Sequence, residues 1–207
     1  MSFTATKINL TDDAVIRSAL MERLNALHSK DKRLRIVEEL GVMHGAARVD
    51  VAVVNGVLHG YEIKSDKDTL FRLEEQIDAY NAVFDEITIV VGKSHLYEAI
   101  NMVPDWWGVM IAKIVENDLV MFNTIRVASD NPEKNGVAIA SLLWRDEALE
   151  LLEKAGEAKG LRSKSRNMIY SKLSSALELE VLCEEVRRTI CFRKDWRSDS
   201  QLVLNGG

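Results

Sequence analysis

Two neighbouring runs of β-forming residues constrain this chain more than any other feature. RVDVAVV (48–54) and VLHGYEIK (57–64) flank Asn55-Gly56, a dipeptide typical of β-hairpin turns. The next segment, 69–84, carries apolar residues at helical spacing, and ITIVVG (87–92) is apolar on both faces, as in a strand buried on both sides. A hairpin followed by a helix and a buried strand predicts an α/β fold built around a mixed β-sheet.

Periodicity in the rest of the chain completes this architecture. The other predicted elements are helices over 12–27, 33–40 and 95–102, strands near 108–115 and 119–127 joined by a turn at Asn117-Asp118, and helices over 138–158, 164–178 and 179–191. The run SDNPEKNG (129–136) is the best linker candidate, because Asn-Pro and Asn-Gly favour turns. We therefore expect a core over residues 1–130 and a helical, basic C-terminal extension over residues 137–207.

The overall composition predicts a soluble, cytoplasmic protein. The 207 residues include 27 basic and 32 acidic side chains, for a net charge of -5, and 47% are hydrophobic. No apolar run of about 18 residues is present, and the N-terminus lacks the pattern of a secretory signal, so neither a membrane span nor a signal peptide is expected. Two cysteines, Cys183 and Cys191, are too few for a disulfide framework and are expected to be reduced thiols.

The charge is unevenly divided along the chain. The segment 159–197 holds ten basic and five acidic residues, so it carries +5 while the remainder carries -10. Arg162, Lys164 and Arg166 cluster near the predicted start of a helix, where backbone N–H groups also favour phosphate. We expect these three residues to bind nucleic acid; the alternative is that the tail is a helical lid on the sheet with a merely solvated basic surface.

A carboxylate–lysine constellation falls on the predicted hairpin. Asp50 lies on its first strand, and Glu62 and Lys64 lie on its second, where alternation points both side chains to one face. Carboxylates so grouped suit a hard cation such as Mg²⁺ or Mn²⁺, with the lysine beside a metal-bound water. The alternative is a structural ion pair in an α/β interaction protein.

The hairpin register decides whether these residues can meet. A two-residue turn at Asn55-Gly56 would put Asp50 and Glu62 on opposite faces. A three-residue loop, Val54-Asn55-Gly56 with Gly56 left-handed, puts Asp50 opposite Gly60 and diagonal to Glu62, and the missing side chain of Gly60 then leaves room for a metal or a phosphodiester. We predict the longer loop.

These residues and their order resemble the PD-(D/E)XK nuclease superfamily. The pattern D-x11-E-x-K is read as Asp50 and Glu62-Ile63-Lys64, and residues 38–91 are similar to stand-alone bacterial and phage proteins of that group. Val49 stands where the motif has proline. The resemblance implies a restriction-endonuclease-like three-layer sandwich with a central mixed β-sheet, to which the C-terminal helical extension is added.

The resemblance also implies a role for each motif residue. Asp50 and Glu62 would bind Mg²⁺ or Mn²⁺, with the Ile63 carbonyl completing the shell, and Lys64 would assist the attacking water. Glu39, or its neighbour Glu38, would be an additional acid on the preceding helix.

Two further residues match a feature of the recombination-type nucleases in that superfamily. Gln76 and Tyr80, four residues apart on one helix face, would position the substrate or the motif strand. For Tyr80 the alternative is a core position, because it lies on the apolar stripe of the same helix.

The resulting hypothesis is a metal-dependent deoxyribonuclease that hydrolyses phosphodiester bonds. The alternative is a catalytically inactive nuclease-fold protein that binds nucleic acid in a repair or phage-related complex. The sequence leaves open the form of DNA, DNA versus RNA, one metal ion versus two, the biological pathway and the oligomeric state.

Overall fold

The computed structural model describes residues 10–115 and 119–194 of the chain. The strands within these ranges are β1 (Arg35–Val42), β2 (Ala47–Val54), β3 (Leu58–Lys64), β4 (Glu86–Val91), β5 (Gly108–Ile114) and β6 (Val120–Arg126). The α-helices are α1 (Asp13–Leu27), α2 (Leu73–Asn81), α3 (Leu96–Met102), α4 (Gly136–Ala140), α5 (Arg145–Lys154), α6 (Arg166–Ala176) and α7 (Leu179–Phe192). The turn predicted at Asn117-Asp118 lies outside the described residues.

All six described strands form one sheet in the order β1-β2-β3-β4-β5-β6. The β1–β2, β2–β3 and β5–β6 pairs are antiparallel, whereas β3–β4 and β4–β5 are parallel and are connected through α2 and α3. The predicted mixed α/β fold is therefore confirmed, including the hairpin and the buried fourth strand.

Helix α1 covers one face of the sheet. Its buried side chains Ile16, Leu20 and Leu24 pack in one cluster with residues of β2 and β3 such as Val51 and Tyr61. Asp12 caps the helix by accepting the N–H of Ala14. The i, i+4 spacing of the apolar residues thus turns one stripe of α1 toward the sheet.

The other helices share a second core on the opposite face. This core runs from Tyr80 and Phe84 through Trp107 to Leu152 and Ile190, so the C-terminal helices and the sheet bury their apolar side chains together. Asp85, the residue before β4, adds buried ion pairs between the layers. Its carboxylate accepts hydrogen bonds from the N–H of Leu58 at 2.8 Å, from Nζ of Lys134 at 2.9 Å and from Nη1 of Arg187 at 2.8 Å.

The helix predicted over 33–40 is wrong, because this segment is the edge strand β1. Glu39 interrupts the strand with a left-handed φ of 54°. Across this break the inward side chains change phase, and Val37 and Leu40, three residues apart, enter the same core. Such spacing imitates a helical stripe in the sequence.

Helix α2 begins at Leu73 rather than at the predicted Thr69. Just before it, Asp68 accepts hydrogen bonds from the N–H and the hydroxyl of Ser65, each at 2.7 Å. These hydrogen bonds between Ser65 and Asp68 form a non-helical turn, so the helix begins about one helical turn later than predicted. In the described parts of the chain, no helix is both long and apolar enough to cross a bilayer.

Candidate functional site

A cleft of about 710 Å³ opens beside strands β1 to β3 of the sheet. It is bounded by α1, β1, the turn before β2, the strands β2 and β3, and the start of α2. We call it the carboxylate cleft, after its acidic lining; the charged residues that line it are Asp13, Glu39, Arg48, Asp50, Glu62, Lys64, Asp68, Arg72 and Glu75. All four acidic and basic motif residues predicted from the sequence line this one cleft.

Asp50 and Glu62 meet across the β2–β3 hairpin. Val51 pairs with Tyr61 and Val54 with Leu58, so the same register puts Asp50 directly opposite Glu62. The predicted three-residue length is confirmed, with Gly56 at a φ of 110°, but the predicted residues are wrong, because the loop is Asn55 to Val57 rather than Val54 to Gly56. Asp50 therefore lies opposite Glu62, two residues along β3 from the predicted partner Gly60.

The role predicted for Gly60 is therefore wrong. Gly60 pairs with Ala52, and a side chain there would lie 2.6 Å from Cδ1 of Ile87 and 3.1 Å from the ring of Phe84. Its small size serves core packing and leaves no extra room beside Asp50.

Glu62 is held by three donors at the buried wall of the cleft. Its Oε1 accepts hydrogen bonds from Nζ of Lys64 at 2.5 Å and from Nε2 of Gln76 at 2.7 Å. Its Oε2 lies 2.8 Å from the hydroxyl of Tyr80. Only 2% of the glutamate is exposed, so this full set of partners compensates the cost of burying its charge. Both Gln76 and Tyr80 thus touch the motif strand directly.

Asp50 is fixed from two sides. Its Oδ2 accepts the backbone N–H of Ile63 at 2.6 Å, and its Oδ1 accepts a hydrogen bond from Nη2 of Arg17 at 2.6 Å. Burial and the neighbouring Glu62 carboxylate raise the pKa of Asp50 to about 7, against the opposing effects of the Ile63 N–H and Arg17. The close approach of two carboxylates is the arrangement that a cation or a proton relieves.

Arg17 joins three carboxylates that come from three different elements. Its Nη1 lies 2.6 Å from Oε1 of Glu39, its Nη2 lies 2.6 Å from Oδ1 of Asp50, and Asp13 accepts from it one turn earlier on α1. Burial works against the charged guanidinium, but these three acids together raise the pKa of Arg17. Arg17 is therefore a permanent cation in the middle of the acidic cluster.

Glu39 reaches the cleft from a strand and not from the helix that was predicted. Glu38 pairs with Val51 and Leu40 pairs with Val49, which sets Glu39 opposite Asp50 across the β1–β2 pair. Between Glu38 and Glu39, the side chain that lines the cleft is that of Glu39. Three carboxylates, Glu39, Asp50 and Glu62, thus stand in one row across three strands.

Gln76 carries an unsatisfied acceptor at this site. Its Oε1 is buried without a hydrogen-bond partner among the described residues, although its Nε2 is bonded to Glu62. An orphaned buried carbonyl oxygen is costly, and an incoming donor such as a ligand water would satisfy it. This acceptor is a second feature of the cleft wall, independent of the carboxylates, at which a donor from a ligand would be satisfied.

The donor set suits a magnesium-like ion. Over residues 10–115 and 119–194, no group of three or more His, Cys, Asp or Glu side chains is arranged to hold a metal ion. Mg²⁺, however, is commonly bound through one or two carboxylates and several waters. Asp50 and Glu62 supply two such carboxylates, and the orphaned oxygen of Gln76 is available to a ligand water, so these residues fit the ion.

The basic residues predicted to bind nucleic acid lie outside the cleft. Arg162, Lys164 and Arg166 are exposed around the start of α6, whose N-cap is Ser165. Arg162 also forms an ion pair with Glu153 at 2.6 Å. Helix α6 is linked to the cleft rim through Tyr170, whose ring lies 5.6 Å from that of His44, next to the lining residue Gly45.

Asp13 and Arg17 are site residues that the sequence reasoning missed. Their i, i+4 spacing on a well-predicted helix was a visible signal of an ion pair. Nothing local to that helix indicated that Arg17 would reach across to Asp50 and Glu39, because those contacts depend on how α1 packs on the sheet.

Comparison with known proteins shows the family. The family model described as bacteriophage P4 protein cII matches residues 6–206, so this chain belongs to that family. Protein cII of Enterobacteria phage P4 is 31% identical over 121 residues, which make up 58% of this chain and 46% of that protein. The alignment thus spans less than half the length of the curated relative.

A solved structure also aligns with this chain. It is a protein of unknown function from Silicibacter pomeroyi, with 19% identity, coverage of 72% of this chain and 94% of its own, and a TM-score of 0.41.

Proposed function

We propose that this member of the P4 cII family is a metal-dependent nuclease that hydrolyses DNA phosphodiester bonds. The observation that carries the proposal is the meeting of Asp50, Glu62 and Lys64 in one cleft, on two adjacent strands, in the spacing of the PD-(D/E)XK motif. A structural ion pair alone would not require a second carboxylate directly opposite the first. Two facing acids and a lysine beside an open cleft support a reaction on a charged substrate.

The order of the elements supports the proposed superfamily. Helix α1, the meander β1-β2-β3, helix α2 and strand β4 follow one another in the order of a restriction-endonuclease-like core. Helices cover both faces of the sheet, as in a three-layer sandwich. These features support the proposal that the mixed α/β fold is a restriction-endonuclease-like sandwich.

Asp50 and Glu62 would hold Mg²⁺ or Mn²⁺, with the backbone of Ile63 between Glu62 and Lys64 adjoining the same site. The bound ion would supply an activated water and stabilisation of the negative charge that develops on the phosphate. Glu39 adds a third carboxylate, and Tyr80 and Gln76 keep Glu62 in one rotamer by bonding both of its oxygens.

Lys64 would act on the attacking water or on a phosphate oxygen. Its ammonium is held 2.5 Å from Oε1 of Glu62, and its side chain is 8% exposed. A buried, oriented ammonium is a stronger hydrogen-bond donor to a developing oxyanion than a solvated one. Arg48 and Arg72 also line the cleft and add positive charge for a phosphodiester chain.

The basic start of α6 would provide a separate, sequence-independent contact with the DNA backbone. Arg162, Lys164 and Arg166 are exposed together on one short segment. Replacing all three with glutamine should weaken DNA binding and reduce the slope of log K against log salt by up to about 3. An unchanged slope would show that these three side chains make no contact with DNA phosphates.

Cleavage assays decide between the nuclease and its non-catalytic alternative. Wild type should cut at least one of single-stranded, double-stranded, branched or RNA substrates with Mg²⁺ or Mn²⁺ and should stop when EDTA is added. Asp50→Asn, Glu62→Gln and Lys64→Ala should each reduce the rate by about 100-fold or more. Lys113→Ala, an exposed residue of β5, is the matched control and should cut normally.

Melting curves must accompany these assays, because Glu62 and Lys64 are buried partners. A folded wild type that binds DNA but cuts none of the substrates under either metal would contradict the proposal. It would instead favour a nuclease-fold protein that only binds nucleic acid in a repair or phage-related complex.

A further inference from the structure

The acidic cluster of the carboxylate cleft already contains a cation that belongs to the chain. The two terminal nitrogens of Arg17 bind Glu39 and Asp50 separately, each at 2.6 Å. The Arg17 side chain is 18% exposed and that of Asp50 is 16% exposed, so solvent screens this pair only in part. Arg17 Nη1 also donates to the backbone oxygen of Asp50 at 3.1 Å.

A divalent ion on Asp50 would have to share these oxygens with the guanidinium. Two cations within hydrogen-bond distance of one carboxylate repel each other strongly where solvent is partly excluded. The other oxygen of Asp50 accepts the N–H of Ile63, which leaves it one lone pair for an ion. An ion that binds Asp50 and Glu62 must therefore move Arg17 or accept a large loss of affinity.

The structure also offers the position to which Arg17 would move. Asp13 is one helical turn away, and its Oδ1 lies 3.3 Å from Nε and 3.2 Å from Nη2 of Arg17. The Asp13 side chain is 39% exposed, so a guanidinium that stays with Asp13 and leaves Asp50 would face solvent. Asp13 is thus a partner that a guanidinium displaced from Asp50 would keep.

We propose that Arg17 is an internal competitor for the metal site, and that a divalent ion binds Asp50 only by displacing the Arg17 guanidinium. This inference rests on the proposed metal site but not on cleavage. The orphaned Oε1 of Gln76, in the lining of the same cleft, is a separate acceptor that a metal-bound water would satisfy.

Calorimetric titration of the full-length protein with MnCl₂ tests the competition. Arg17→Met keeps the length and apolar stem of the side chain and removes its charge, so it should bind Mn²⁺ about tenfold tighter or more than wild type. Arg23→Met is the matched control on the same helix, because the Arg23 guanidinium lies over the ring of Phe122, 5.9 Å from its centroid. Its Mn²⁺ affinity should equal that of wild type. Adding Asp50→Asn to Arg17→Met should abolish the gain.

Arg17→Lys is a second variant, which keeps the proposal testable if Arg17→Met fails to fold. Arg17→Lys keeps a positive charge but loses the fork that spans Glu39 and Asp50, so its Mn²⁺ affinity should lie between those of wild type and Arg17→Met. If Arg17→Met does not melt cooperatively, Arg17→Lys carries the test. Mn²⁺ affinity no higher than that of wild type in the folded Arg17 variants would overturn the proposal, and so would the absence of binding in every variant.

The outcome is separable from that of the nuclease proposal. Tighter Mn²⁺ binding by Arg17→Met, with no cleavage by any form of the protein, would support the competition and contradict the nuclease. Metal-dependent cleavage by wild type, with the same Mn²⁺ affinity in Arg17→Met, would support the nuclease and overturn the competition.

Discussion

The hydroxyl of Tyr80 lies between Oε2 of Glu62, at 2.8 Å, and the carbonyl oxygen of Arg48, at 2.7 Å. One proton therefore serves two acceptors, one on the motif strand β3 and one on β2. Burial is the main cause that raises the pKa of Tyr80, and the nearby Glu62 carboxylate raises it further. The hydroxyl therefore stays protonated and remains a donor. Tyr80 ties α2 to both strands of the hairpin that carries the candidate site.

Tyr80→Phe should destabilise the protein by about 1–2 kcal/mol, because it leaves a buried carboxylate oxygen without its donor. Urea denaturation followed by circular dichroism measures the loss. Tyr61→Phe is the control, since the Tyr61 hydroxyl has only a long contact of 3.4 Å with His59 and should cost less. Equal losses in the two variants would show that the Tyr80 hydroxyl has no special role at Glu62.

Asp85→Asn should destabilise the protein by about 3–5 kcal/mol, because Lys134 and Arg187 would lose their shared buried carboxylate. The asparagine can still accept the N–H of Leu58, so the loss reports mainly on the two ion pairs. Differential scanning calorimetry provides the measurement. Asp105→Asn removes an exposed partner of Arg126 and should change the melting temperature very little. A small effect of Asp85→Asn would mean that the two ion pairs contribute little to the attachment of α7 to the sheet.

Asp66 should make stability depend on acidity between about pH 4 and pH 2. Partial burial raises its pKa, but four donors, the N–H and hydroxyl groups of Ser94 and Thr11, prevail and lower it to about 2 from the ordinary 3.8. The ionised form therefore stabilises the fold above about pH 4, and this contribution is lost as the pH falls toward 2.

Asp66→Asn should cost about 1 kcal/mol near neutral pH, a value reduced for solvent screening at this partly exposed site. The difference from wild type should shrink at low pH, which urea titrations between about pH 2.5 and 6 would detect. Asp130→Asn, at an exposed carboxylate outside this network, serves as the control. A difference that stays constant with pH would contradict the lowered pKa of Asp66.

Gly92→Ala should destabilise the protein by about 1–3 kcal/mol through steric overlap. The added methyl group would lie 2.5 Å from Oδ1 and 2.6 Å from the backbone N of Asp66, which is part of a well-bonded loop. Gly41→Ala is the matched control, because its nearest neighbour would be 3.9 Å away, and it should stay within about 0.5 kcal/mol of wild type. Comparing the two midpoints of thermal unfolding separates steric overlap from the general effect of replacing glycine.

The sequence was sufficient for elements whose pattern agrees with their environment. Helix α1 and strand β4 are such cases, because one apolar stripe or one continuous apolar run faces a core. The shared face of Asp50 and Glu62 was also predictable, since strand alternation leaves only two choices. The exact pairing of the two strands was not predictable. A loop of Val54 to Gly56 and a loop of Asn55 to Val57 both put Asp50 and Glu62 on the same face, and they differ in which residue packs opposite Gly60.

Strand β1 and Arg17 show where local pattern stops being informative. The left-handed Glu39 changes the phase of β1, so a strand acquired the spacing of a helix. Arg17 lies 33 positions from Asp50, and no short-range pattern encodes a contact that arises only when α1 docks on the sheet. Both failures lie at the carboxylate cleft, where local preferences and tertiary contacts disagree most.

The order of the strands across the sheet repeats their order along the chain, from β1 to β6. Each strand emerging during synthesis therefore finds its neighbour already made, and no later strand has to be inserted between two earlier ones. A nascent chain on the ribosome can extend the sheet from one edge, with α2 and α3 laid down between additions. The helices after β6 are made last, and they cover an apolar face of the sheet that would otherwise be exposed and prone to aggregate with other newly made chains.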